Sequence, residues 1–271
     1  MEWMLGVIAN LLTMSPAEFS PAAFGLAQTI GVGLAPFAVY IMILLWGIDF
    51  IGSTINFSEK PLETLIRMVV MLGFGLTFTR ISFWLVMGLF QIFGGIITGI
   101  GDITGLVDFS VMTESTLEMI DARSGLGYNM GTTENMIFFV FLVFTLLSFF
   151  GMFLGMILVP VAIFVELYVY AAFSPIPIAT LFTGQKQVGI AFIKLVIAVC
   201  LRGAVVLFGI HIAAGVIASG ILVPEGLTLA GFWQFLTPII TISISIMILQ
   251  KCIKGAADFA KNITGASSGG G

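Results

Sequence analysis

The chain has 271 residues, of which 59% are hydrophobic and only 9% charged, with a mean hydropathy of +1.17. Soluble domains carry about a quarter charged residues, so this chain lacks the polar side chains needed to cover a water-facing surface. Its formal charge of −4 includes no broad basic stripe, which excludes a nucleic-acid binder of the usual electrostatic kind.

Several apolar runs reach the roughly 20 residues a helix needs to cross the hydrocarbon. A transmembrane barrel alternates polar and apolar residues, and FFVFLVFTLLSFFGMFLGMILV at 138–159 does not. The expected fold class is therefore all-α: a polytopic transmembrane protein of about five spans, built of long, kinked helices. The two cysteines, Cys200 and Cys252, fall toward the side expected to be cytoplasmic, and no disulfide framework is implied. A cleavable signal peptide is not expected, because residues 1–14 lack a basic start.

Residues 1–23 come first. WMLGVIANLLTM at 3–14 is too short to span and reads as a helix lying in the interface, ended by the loop SPAEFSP at 15–21. The membrane domain is expected over 24–250. Its first span is 24–52, with Pro36 inside it and Trp46 and Asp49 marking its far end. Residues 62–101 form one apolar stretch carrying Arg67 and Arg80. No turn signal interrupts TFTRISFW, so one long helix is preferred to a hairpin near Arg80. At 1.5 Å per residue it reaches about 60 Å, twice the hydrocarbon thickness. Its embedded part is then 81–101, and the Arg67–Arg80 part lies at the inner boundary or beyond it.

Residues 102–135 form an acidic loop, with six carboxylates against Arg123 alone. The next span, 136–173, carries Pro160 and Glu166 in its inner half, and proline predicts a kink near 156–160. SPIPIATLFTGQKQ at 174–187 reads as a loop. Spans at 188–217 and 231–250 follow, then a basic tail over 251–271 with Lys251, Lys254 and Lys261. Short loops rich in Lys and Arg stay in the cytoplasm. Counting back from that tail puts 174–187 inside, 102–135 outside, 53–61 inside and the N-terminus outside. Each placement agrees with the charges near it.

Ionisable groups at membrane depth cost a few kcal/mol each, roughly 2.5–3.5 at a helix centre by insertion scales. Arg80, Glu166, Lys194 and Arg202 all fall toward the cytoplasmic ends of their helices. Two readings are open. They line or gate a polar pathway, or Glu166 pairs with Arg80, Lys194 or Arg202 while the long basic chains snorkel to the interface. Glu166 is the sharper signal, because a carboxylate has little reach. Pro175, Pro177, Gly184 and Lys186 are singled out in the cytoplasmic loop. The pairs Gly95–Gly99 and Gly151–Gly155 are GxxxG spacings that let helix backbones approach closely.

No catalytic, cofactor-binding or metal residue is assigned. His211, the single histidine, has no ligand partners at suitable spacing, so a packing or hydrogen-bonded role is expected. GIGDITG at 99–105 and TGQK at 183–186 lack the full phosphate-loop pattern. With no HExxH and no GxSxG either, an enzyme is not expected and no cofactor is implied.

The stretch ELYVYAAFSPIPIATLFTGQKQVGIAFIKLVIAVCLRGAVV, starting at Glu166, resembles the central region of the TrbL-like polytopic subunit of type IV secretion and conjugation systems. The elements that carry the resemblance are Ala171–Ala172, Pro175–Pro177, Ala179, Gly184–Gln187, and Lys194 with Arg202. The five-span plan is also similar to that family, whereas the short outer loop departs from members with a large extracytoplasmic region. The resemblance implies a channel or platform subunit in a bacterial cytoplasmic (inner) membrane. It implies a homo-oligomer that contacts other secretion-system membrane subunits and ATPases and transiently meets a DNA–protein substrate. Two alternatives from other classes are a secondary transporter for a small solute, which wants internal repeats and broken helices, and a structural scaffold of an envelope complex.

Overall fold

The computed structural model describes residues 10–54, 61–104, 132–218 and 232–266. The described residues are helical with no strands. After a helical turn at 10–13 come α1 (Pro16–Phe19), α2 (Pro21–Thr54), α3 (Pro61–Arg80) and α4 (Ser82–Thr104). They are followed by α5 (Thr132–Phe173), α6 (Pro175–Thr180), α7 (Lys186–Ala218) and α8 (Phe232–Thr264). Four helical segments among the described residues are long and apolar enough to cross a membrane: Pro21–Gly52, Ser82–Gly99, Met136–Phe173 and Lys186–Ala213. The described part of the protein is thus all-helical, with the character of a membrane protein.

Pro36 and Pro160 each lie inside a continuous helix. The 62–101 stretch is α3 and α4 separated by Ile81 alone. The Ile81 N–H donates to the Thr77 carbonyl at 3.1 Å, and the Ile81 carbonyl accepts from the Leu85 N–H at 3.0 Å. Helical hydrogen bonding therefore carries through the boundary. Within this stretch Ser82–Gly99 is long and apolar enough to cross, and α3 carries Glu63, Arg67 and Arg80.

Helix α8 runs past 250, the expected end of the last span, to Thr264, so the first part of the basic tail is helical. Ala256, Ala257, Ala260 and the lysines are good helix formers, and the helix stops where Gly265 takes a left-handed φ of 65°. Two expected loops are revised. The first is SPAEFSP at 15–21, which contains α1 and the first residue of α2. The second, the 174–187 segment, is not a plain loop, because it contains α6. The acidic segment 105–131 and residues 1–9, which hold most of the expected interfacial helix, lie outside the described residues.

The chain divides into two compact units. One comprises Met1–Thr13, Ile97–Val161 and Gly203–Ala256. Here α5 and α8 run parallel, joined by a Thr145–Ser243 hydroxyl pair at 2.7 Å and by the Gln250 amide donating to the Ser148 carbonyl at 2.9 Å. Met152, Met156, Leu207, Ile210, Ile246 and Leu249 are buried in it.

The other unit comprises Met14–Ile96, Ala162–Arg202 and Ala257–Gly271. Helices α2 and α3 form an antiparallel pair in which the Trp46 indole N–H donates to the Met68 carbonyl at 3.2 Å. The last turns of α5 run antiparallel to α4, with Phe164 against Phe90 at 5.3 Å between ring centroids. Phe164 also stacks on Phe19 at 4.1 Å, and the Tyr168 hydroxyl donates to the Pro16 carbonyl at 2.5 Å. These two contacts fasten α1 to α5.

Candidate functional site

The residues that carry the family resemblance fold together in the second unit as the end of α5, α6, a short turn and the start of α7. Helix α6 forms because prolines suit the first turn of a helix. The first four backbone N–H groups have no helical partner anyway, and proline's fixed φ is already helical. Pro175 and Pro177 occupy that turn. Ser174, at the N-cap, does not cap α6; its hydroxyl donates back to the Ala171 carbonyl at 2.8 Å.

Helix α6 is buried between α2 and α3. Ile176 and Ala179 pack with Ala38 and Met42 of α2 and with Leu72 and Leu76 of α3. Phe182, just beyond α6, stacks on Phe78 at 5.5 Å. Neighbouring elements come close around this segment, and four glycines make room for them. A Cβ at Gly75 would lie 2.5 Å from the Met42 sulfur and 3.1 Å from Phe182 Cβ. One at Gly189 would strike Leu181 and sit 2.7 Å from the Pro177 carbonyl oxygen. One at Gly31 would lie 3.4 Å from the Ala171 carbonyl oxygen, and one at Gly184 would lie 2.6 Å from Asp49 Oδ1. Between lipid-compatible helices there is little hydrophobic drive, so such close approach supplies attraction through van der Waals packing.

The turn after α6 is tied to α2 by Asp49, whose carboxylate accepts the Gly184 N–H. Asp49 is half-buried. The sequence marked it only as the end of a span; its signal was a carboxylate following a long apolar run, with no hint of its partner.

Of the three partners open to Glu166, the structure brings up Arg202. Arg202 Nη1 donates to Glu166 Oε1 at 3.1 Å, linking α5 to α7. The arginine side chain is 17% exposed and the carboxylate 41%, and Arg202 Nε is buried without a partner. One turn further along, Tyr170 meets Phe192 edge-on at 6.1 Å. Arg80 and Lys186 are exposed, Lys194 is half-buried, and none of the three has an ion-pair partner among the described residues. His211 Nδ1 lies 2.7 Å from the Leu207 carbonyl of its own helix.

The GxxxG glycines lie elsewhere. Among the described residues, nothing comes within 4 Å of a Cβ at Gly95, Gly99 or Gly155, and Gly151 meets only the Gln250 amide at 3.4 Å. The tight approaches inside the chain use isolated glycines instead.

The site thus presents a helix–proline–helix return held by glycine contacts, one carboxylate–amide hydrogen bond and one ion pair. This arrangement positions backbone and charge; the named residues do not form a nucleophile with its base. No protein-family profile matches the chain, and no curated protein or solved structure matches it either.

Proposed function

We propose that this chain is a multi-pass subunit of the bacterial cytoplasmic membrane, serving as channel or platform in a type IV secretion machine that passes DNA–protein substrate. In this reading the stretch 231–250 is a fifth span, the N-terminus is outside and the basic end of α8 is cytoplasmic. The chain works as a homo-oligomer with secretion ATPases and other membrane subunits. The observation that supports the reading is the behaviour of 166–202. The stretch that carries the resemblance has its two ends joined by the Glu166–Arg202 pair, with its proline-rich middle seated between α2 and α3. Lys194 and Lys186 then face the cytoplasmic side of the path.

A small-solute transporter has one observation in its favour, because α6 interrupts the path from α5 to α7 as discontinuous helices do in such proteins. Those folds repeat the interruption in a second, corresponding position. The Ile81 boundary keeps its helical hydrogen bonds, so α6 has no counterpart among the described residues, and the secretion reading is preferred.

The test is charge reversal at Lys194 in the bacterium that carries the protein. Lys194→Glu is expected to cut conjugative transfer about tenfold or more, because a few kcal/mol attend a misplaced charge at membrane depth, while membrane insertion stays normal. In-membrane cross-linking is expected to capture a second copy and a secretion ATPase. Normal transfer by Lys194→Glu and Arg202→Glu would remove both residues from the mechanism, and a monomer that binds a small solute would replace the reading.

A further inference from the structure

The 174–185 segment satisfies its own polar groups. The hydroxyls of Ser174, Thr180 and Thr183 donate to the carbonyls of Ala171, Pro177 and Thr180 at 2.8, 2.7 and 2.9 Å. The Gln185 N–H donates to Thr183 Oγ1 at 3.3 Å. Backbone bonds from Ile178 to Ser174, Leu181 to Ile178 and Thr183 to Thr180 lie between 3.1 and 3.2 Å. Pro175 and Pro177 remove two donors that would otherwise need partners. Among the described residues, the segment's one polar bond to a distant element is the Gly184 N–H to the Asp49 carboxylate. Every other grip on it is apolar packing or glycine contact.

A segment built this way can leave its seat without orphaning its own hydrogen-bonding groups, which is the usual cost of moving buried backbone. We propose that residues 174–185 are a latched strap, seated in the α2–α3 groove, held by the Asp49–Gly184 bond and released as a unit when that bond is lost. Gly184 and Ser174 bracket the moving part. Release uncovers Ala38, Met42, Leu72 and Leu76. The strap rests on the geometry of its own unit and needs no assumption about the machine in which the chain works.

Cysteine labelling of the full-length protein in membranes tests the proposal, using a membrane-permeant maleimide and mass spectrometry to separate sites. The background is Cys252→Ser. Ile178→Cys reports the strap, since Ile178 is buried, and native Cys200, also buried, is the internal control. With Asp49 intact both thiols are expected to be protected. Asp49→Ala is expected to raise labelling at Ile178→Cys about ten- to a hundredfold, the range set by a hydrogen bond to a charged group, with Cys200 unchanged. Asp49→Asn, which keeps an acceptor oxygen, is expected to fall between. An unchanged rate at Ile178→Cys in Asp49→Ala would overturn the latch, and so would a parallel rise at Cys200, which signals general loosening. Free labelling of Ile178→Cys with Asp49 intact would show that the strap is not seated.

Discussion

The two halves of α5 are similar in apolarity and opposite in surroundings. In the first half the inward residues form a narrow stripe, Thr145, Ser148, Met152 and Met156, while Phe139, Leu146 and Leu147 stand out from the protein. In the second half the buried residues come in adjacent pairs: Ile163 with Phe164, Leu167 with Tyr168, and Ala171 with Ala172. A single stripe at spacing three or four is one helix facing one neighbour. Doubled positions widen the buried arc to face several. Apolarity alone therefore identifies a membrane helix without saying which half meets protein; the width of the buried stripe does.

The largest test of that difference truncates a large apolar side chain in each half. Phe164 is fully buried, whereas Leu147 is 66% exposed. Phe164→Ala is expected to cost about 3 kcal/mol through lost packing and a residual cavity, and Leu147→Ala less than about 0.5 kcal/mol. Unfolding in mixed micelles measures both. Equal costs would mean that the two halves do not differ in packing.

Next in size is the pair that closes the second half. Glu166→Ala leaves Arg202 Nη1 without its acceptor and is expected to cost about 1 kcal/mol, below the range for a fully buried pair because the carboxylate is 41% exposed. Glu166→Gln keeps an oxygen in place and should cost less. A double-mutant cycle with Arg202→Met isolates the coupling, and zero coupling would make the pair incidental.

The first half has its own, weaker polar tie. Thr145→Ala removes the 2.7 Å contact with Ser243. Hydrogen bonds between membrane helices average about 0.6 kcal/mol, so a loss of that size is expected. A loss above that for Glu166→Ala would reverse the ranking of the two halves.

How much of this was legible in the sequence depends on the kind of interaction. The helices are readable because length and apolarity fix them, and α2, α5 and α7 fall within a few residues of their expected bounds. The site was half legible. Glu166 and Arg202 stood out because charge in an apolar helix demands a partner, but three basic residues were open to Glu166 and only the fold selects among them. Helix α6 was hidden because two prolines and several hydroxyl residues look like a loop. They also suit the first turn and the internal bonding of a short buried helix, and burial depends on α2 and α3, remote in sequence. Gly31, Gly75 and Gly189 were invisible for the same reason. A glycine matters where another element arrives, and spacing within one helix does not report that.

The smallest expected effect concerns the anchor of the second half. Tyr168 and Phe164 hold α1, and α1 is started by a capping box. The Glu18 carboxylate accepts from the Ser15 hydroxyl at 2.8 Å and from the Ser15 N–H at 3.1 Å. These bonds favour the charged form and hold the Glu18 carboxyl below its ordinary value of 4.5. A group with a lowered folded pKa contributes its full stability above the unfolded value and loses it as pH falls through the folded value. The thermal midpoint of the wild type should therefore drop slightly more between pH 6 and pH 3 than that of Glu18→Gln, which keeps a capping side chain and has no proton to take up. Glu18 is fully exposed, so water and salt screen the bonds and the difference should be small. Identical drops in the two proteins would mean that α1 is held by Tyr168 and Phe164 alone, which would make the buried arc of α5, rather than the cap, the whole anchor of the N-terminal segment.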